Sequence, residues 1–205
     1  MSISSLSAAQ ISILPSTVIG SLSTTDIASL SSTQIGAINN SGIAALDATH
    51  LGAITSTEAR GLTTTQIPLF NSAFVFNVQQ LEVLNGGQLN AMTSTQLLAL
   101  DATHIEALGT TQLTALSTTN FTLLDTTQIQ GLLTTQISGI STTQLASLST
   151  TNVSEFTDTA IARFSSAQFG ALNATNFSAL DATALGALAS TQISGVTTTQ
   201  LSNLT

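Results

Sequence analysis

Large apolar residues recur along this chain at alternating intervals of three and five, and the pattern divides the sequence into eight-residue units. One block of units runs from Ala8 to Asn71 and a second from Val78 to Thr205, twenty-four units in all. Ser2 to Ser7 reads as the tail of a partial first unit, and Ser72 to Asn77 is a unit shortened by two residues. Position 4 is large and apolar throughout, as in Ile11, Leu97 and Phe121, except at Ala59. Position 7 is large and apolar in every unit. Thr dominates position 2 and Gln or Glu position 3, positions 5 and 6 are mostly small, and position 8 is nearly always Ser, Thr, Asp or Asn. The consensus is T-T-Q-[IL]-x-x-L-S.

This spacing fits neither the period of two of a half-buried strand nor a sustained helical stripe. In one continuous helix, eight residues at 100° each would advance the apolar face by about 80° per unit, so the hydrophobic surface would spiral into solvent. The chain must therefore break once per repeat, and the polar positions say where. With position 8 as N-cap, its side-chain oxygen accepts from the amide at N3 while the N3 Gln reaches back to the N-cap amide, as in Ser141 with Gln144. The same frame makes positions 7 and 4 the partners of a hydrophobic staple, as in Ile140 with Leu145. The spacing thus predicts an all-α solenoid of one- to two-turn helices, one per repeat, with small residues at positions 5 and 6 letting turns approach closely. Such helices are too short to stand alone, so stability has to come from stacking of neighbours. The alternative is a β-solenoid with sixteen-residue coils, since Thr, Ile, Val and Phe favour strands and Thr, Ser, Gly and Asn are poor helix formers. The expected organisation is repeat block 1 over residues 1–71, an irregular short unit at 72–77 and repeat block 2 over 78–205, forming a single continuous solenoid.

Composition narrows the function more than the fold. The 205 residues include two basic and ten acidic side chains, a net charge of -8, so the chain offers no cationic footprint for nucleic acid. The absence of Cys rules out disulfides and thiolate metal sites. Apolar runs are far too short to span a bilayer, and Met1 to Gln10 lack the basic and apolar regions of a signal peptide.

Segments such as Ser141 to Leu148 and Leu116 to Leu124 resemble the Thr/Gln/Leu-rich tandem arrays of large, repetitive bacterial surface or secreted proteins. That resemblance implies an extracellular, structural or adhesive role, and the low-Lys, Cys-free, acidic composition is similar to that of substrates exported without an N-terminal signal. Ser32-Thr33-Gln34 and Ser94-Thr95-Gln96 also resemble the Ser-Thr-Gln element of ice-nucleation repeats, although their Gly and Tyr pattern is missing here.

Candidate chemistry is sparse. His50 and His104 each close an Asp-Ala-Thr-His tetrad, which reads either as metal-ligand spacing with Asp47 or Asp101, or as an Asp N-cap with His in the N3 slot. The second reading prevails because the frame places both tetrads in register. Asp125 and Asp181 also fall on the N-cap position, where the helix dipole favours them. Arg60 and Arg163 are the only cations, expected to be solvated or paired with Glu58 or Glu155. No Ser or Thr is singled out by a base and an orienting group, so no catalytic residue, cofactor or metal is expected, and the chain is read as a non-enzyme with no evident small-molecule substrate. Phe70, Phe74 and Phe76 cluster at the irregular unit, either filling the gap left by the deletion or forming a contact surface. Neither terminus reads as a polar capping repeat, which leads to the expectation of head-to-tail association with other copies. The sequence thus reads as a self-assembling extracellular filament, surface-layer or adhesin-spacer subunit. The alternative, a surface- or ice-binding module presenting Thr rows, requires the β-solenoid.

Overall fold

A computed structural model describes residues 2–71 and 74–204. It contains helices of four to six residues and two 3-10 turns, and no strand among the described residues. The fold is an all-α solenoid, and the β-coil alternative is excluded. What overrides the strand propensity of Thr and Ile is local hydrogen bonding, which closes a helical turn in each octapeptide and re-extends the chain before the next.

The repeat around Ser141 illustrates the mechanism. Ser141 is extended at φ -72°, ψ 152° and accepts from the Gln144 amide, while Gln144 Oε1 accepts from Ser141 N at 3.0 Å. The Thr142–Ser147 helix follows, and Leu148 returns to extended backbone at φ -64°, ψ 148°. The same reciprocal pair recurs with Ser, Thr, Asn or Asp as cap, for example at Ser31, Thr93, Asn85 and Asp125. Where the N-cap has no suitable side chain, as at Gly109 and Leu133, the Gln still receives the N-cap amide. No described residue needs a positive φ to make the turn back.

The chain divides into two compact units, Met1–Leu100 and Asp101–Thr205. In the first, the Ser16–Ile19 helix packs on Asn40–Ala44 and Ser32–Ala37 packs on Ser56–Ala59. In the second, Thr110–Ala115 packs on Thr134–Gly139 and Thr142–Ser147 on Ser166–Ala171. In these pairs each helix rests on the third helix along, and the apolar residues at positions 4 and 7 form the interior of each unit, with Ile35, Leu51, Leu113 and Leu145 completely buried. Burying each such side chain contributes roughly 1.5–3 kcal/mol.

Small residues sit where turns touch. A Cβ added at Gly36 would come 2.5 Å from the Gly61 carbonyl oxygen, and one at Gly61 would collide with the Ser32 carbonyl. The second unit repeats this pairing, with Gly170 against the Gly195 carbonyl and Gly195 against Ser166. Close approach at positions 5 and 6 is thus built on backbone contact that a methyl group would prevent.

Candidate functional site

The chemistry this chain concentrates is a recurring hydrogen-bond slot around position 3. Gln66, Gln80, Gln88, Gln96, Gln128, Gln136, Gln144, Gln168 and Gln200 are all buried. Their Oε1 atoms serve the capping box, but the amide nitrogens look the other way. Gln144 Nε2 donates to the carbonyls of Leu113 at 2.9 Å and Leu116 at 3.0 Å, 31 and 28 residues earlier. Gln168 does the same to Ile137 and Ile140, and Gln200 to Phe169 and Leu172. In the first unit Gln66 reaches Ile35 and Ile38. The acceptors are positions 4 and 7 of the fourth preceding repeat, whereas helix packing involves the third, so each turn of the coil holds between three and four repeats.

The carboxamide is therefore a three-point clamp. It accepts one local amide and donates to two carbonyls of the previous turn: that of position 7, and that of position 4, which also takes a backbone bond, as Leu113 O does from Leu116 N at 3.1 Å. Each neutral bond contributes roughly 0.5–1.5 kcal/mol, and leaving the buried acceptors unmade would cost about 1–3 kcal/mol each. The capping box accounts for only half of why Gln recurs. The other half was absent from local sequence reasoning, and the signal that could have revealed it is that position 3 prefers Gln over the better cap-box anion Glu.

The irregular unit is absorbed in this same ladder. Gln80 Nε2 donates to Leu51 and Ile54 and Gln88 Nε2 to Ala59 and Leu62, separations of 29 and 26 residues in both cases, two shorter than where the short unit does not intervene. The deletion thus shortens one turn without disturbing the pairing. Phe70, Phe74 and Phe76 are buried at 5%, 5% and 1% exposure, with ring centroids 5.0–5.5 Å apart. They fill the interior at that shortened turn instead of presenting an aromatic surface. Ser72 and Ala73, also in the short unit, lie outside the described residues.

Both His residues occupy the Gln slot. Asp47 Oδ1 accepts from the amides of Thr49 and His50, each at 2.9 Å, and Asp101 accepts from the His104 amide at 3.1 Å. His50 Nε2 lies 2.7 Å from the Leu22 carbonyl, 28 residues back, so it reproduces one arm of the Gln clamp. His50 Nδ1 is 2.7 Å from Asp47 Oδ1, and His104 Nδ1 is 2.7 Å from Asp101 Oδ1. The amide of His50 beside Asp47, joined by the imidazole itself, holds that carboxyl below the usual aspartate value, and Asp101 is lowered in the same way by His104. Asp26 is lowered by the Ser23 hydroxyl and amide. Glu58 goes the opposite way, because burial raises it against the opposing bond from Thr55 N.

No group of three or more His, Asp or Glu residues able to hold a metal occurs among the described residues. No ion pair joins Arg60 to Glu58 or Arg163 to Glu155, and both arginines are exposed. Thr111, Thr127, Thr135 and Thr143, at position 2, stand exposed on short helices. The flat Thr ladder that a surface-binding β-coil would need is therefore absent among the described residues. No described helix is long and apolar enough to cross a membrane. No protein-family model matches the chain, and neither does any curated protein.

Proposed function

We propose that this is a non-enzymatic structural repeat protein that assembles head to tail with further copies of itself, serving as a filament, surface-layer or spacer subunit outside the cell. The observation that carries this reading is that the Gln clamp and the apolar positions 4 and 7 join one turn to the next, and that Gln10, Ile193 and Leu201 carry the same groups without such a neighbouring turn among the described residues. Gln10 Oε1 receives the Ser7 amide at 2.9 Å, but its amide nitrogen meets no carbonyl among the described residues, unlike that of Gln34. A cleft of about 330 Å³ lies in the first repeats, lined by Ser2, Ile3, Leu6, Val18, Leu22 and Asp26. In the last repeats Ile193 and Leu201 occupy position 4, buried in earlier units, and are 54% and 56% exposed. A donor and a largely apolar cleft in the first repeats complement the exposed apolar side chains of Ile193 and Leu201 in the last. The low charge density offers little electrostatic repulsion between copies. The resemblance to bacterial surface arrays supports the extracellular placement.

Sedimentation velocity over a concentration series, paired with negative-stain electron microscopy, tests the reading. Concentration-dependent growth into one-dimensional polymers is expected, and Ile193→Glu should suppress it by placing a charge in the contact. A monomer that persists at high concentration overturns the proposal.

A further inference from the structure

One repeat of the second unit lacks its clamp and has a cavity in its place. Ala184 occupies position 3 of the unit 182–189, where Gln136, Gln144, Gln168, Gln192 and Gln200 stand in other repeats of this unit. By the spacing those residues keep, its slot is bounded by Asp181 N–H and by the carbonyls of Val153 and Phe156, 31 and 28 residues earlier. Asp181 still caps its helix, accepting from Ala184 N at 2.8 Å. Its own amide, however, has no acceptor among the described residues, and no side chain donates to either carbonyl. Val153 O keeps backbone bonds alone, from Phe156 N at 3.2 Å and from Glu155 N. A cavity of about 90 Å³ opens at this place, with Val153, Phe156, Asp158, Leu180, Asp181 and Ala184 among its lining residues. Ala160 makes the same substitution one turn earlier and is likewise buried, but the cavity described here is the one at Ala184.

We propose that this cavity is a binding site for a primary carboxamide, either a small free amide or the side chain of a Gln-containing peptide. The argument is one of complementarity. The slot presents one donor and two acceptors, and the five Gln residues show what satisfies that set: an oxygen receiving the N-cap amide and an –NH2 group donating to both carbonyls. An alkylammonium ion would leave the Asp181 amide unpaired. A carboxylate would bring no hydrogens to the carbonyls and would enter a cavity that two acidic residues, Asp158 and Asp181, help to line. The volume exceeds the ~10–15 Å³ that one water occupies and is below the ~150 Å³ of a cavity that admits benzene, which suits a group of a few heavy atoms. Leu180, Val153 and Phe156 supply an apolar wall for the alkyl part.

The test is solution NMR of the full chain titrated with propionamide, alongside propionate and N,N-dimethylpropionamide. Saturable shifts of the Asp181 and Ala184 amides are expected with propionamide, with shifts at least tenfold smaller for the two comparators. Ala184→Gln supplies the carboxamide covalently and should abolish the response, and Ala184→Leu, which fills the space without hydrogen bonds, should do the same. A Gln-containing peptide that shifts the same amides more strongly than propionamide, while its Glu counterpart does not, would identify the side-chain source. Propionamide responding alone would identify a small-amide site. Equal shifts with all three compounds, no shift up to the solubility limit, or a response that survives in Ala184→Gln would overturn the assignment.

Discussion

Glu58→Gln should stabilise this protein, and the reason can be worked through atom by atom. Glu58 lies at position 3 with only 3% of its surface exposed. One carboxylate oxygen accepts from Thr55 N at 2.7 Å, which reproduces the local arm of the clamp. By the spacing kept at Gln144 and Gln168, its other oxygen belongs opposite the carbonyls of Ile27 and Leu30, to which a carboxylate has no hydrogen to donate. Gln would supply two N–H donors there, about 1–3 kcal/mol together, and would remove a buried charge. Against this stands the loss of an anion near a helix N-terminus, about 0.3–1 kcal/mol. A net gain of about 1–2 kcal/mol at pH 7 follows. At 2–4 °C per kcal/mol for a chain of this length, that is a rise of roughly 2–8 °C in melting temperature. The pH dependence supplies a second constraint. Burial raises the Glu58 carboxyl above its ordinary value of 4.5, so the folded state binds that proton more tightly than the unfolded chain. The wild type is therefore penalised above the folded value, and the penalty is relieved as pH falls through it toward 4.5. The advantage of Glu58→Gln must shrink over the same range, because Gln does not titrate. Thermal unfolding by circular dichroism at pH 7 and pH 4 reads both quantities. A lower melting temperature for the variant at pH 7, or an advantage that does not change on acidification, would refute the reasoning.

The remaining expectations rest on other parts of the repeat. Gly61→Ala and Gly195→Ala should each destabilise by at least about 1–3 kcal/mol, since the added methyl collides with the backbone carbonyls of Ser32 and Ser166. Gly52→Ala, where no atom lies within 4 Å of the added carbon, should be neutral or stabilising by about 0.5–1 kcal/mol, as chemical denaturation would show. Gln144→Ala should cost about 2–4 kcal/mol by removing the partners of the Leu116 carbonyl and the Ser141 amide and one of the two donors to the Leu113 carbonyl, and amide hydrogen exchange should rise first in the flanking repeats. Asp26, Asp47 and Asp101 have carboxyls lowered below 3.8. Their stabilisation is present above that value and lost as pH falls through the lower folded one, so an acid titration followed by circular dichroism should become shallower in Asp47→Ser and Asp101→Ser.

The local half of this fold was legible because it depends on residues three apart. Ser141 with Gln144 and Ile140 with Leu145 carry the cap, the box and the staple within six residues, and those devices reject strands despite the Thr content. The small residues at Gly36 and Gly61 were legible as permission for close approach, but their partners were not, since nothing local fixes which turns meet. The pitch was hidden for the same reason: the 28- and 31-residue separations belong to Gln Nε2, a group whose role looked complete once its oxygen had been assigned to the N-cap. The aromatic cluster was readable as composition only. Whether Phe70, Phe74 and Phe76 faced outward or inward depended on how the two-residue deletion is taken up, and the Gln80 pairing shows it taken up inside the turn.

Position 3 turns the repeat from a pattern into a graded code for inter-turn adhesion, set by side-chain length and hydrogen count. Gln is long enough to straddle two carbonyls and carries two hydrogens to give them, as at Gln168 with Ile137 and Ile140. Asn, one methylene shorter, reaches one: Asn152 bonds Thr122 at 3.3 Å and Asn176 bonds Leu148 at 2.6 Å. His50 also reaches one, through Nε2. Gly42 reaches none, and there the N-cap residue substitutes, Asn39 Nδ2 donating to the carbonyls of Ser12 and Leu14 at 3.0 Å. Glu58, Ala160 and Ala184 have no hydrogen to offer at all. Because the apolar residues at positions 4 and 7 vary little, these differences fall on top of a nearly uniform interior. In a solenoid whose stability is a sum of neighbour terms, such differences decide where a turn opens first. The repeats containing Glu58 in the first unit and Ala160 and Ala184 in the second are then the weakest joints of this graded series.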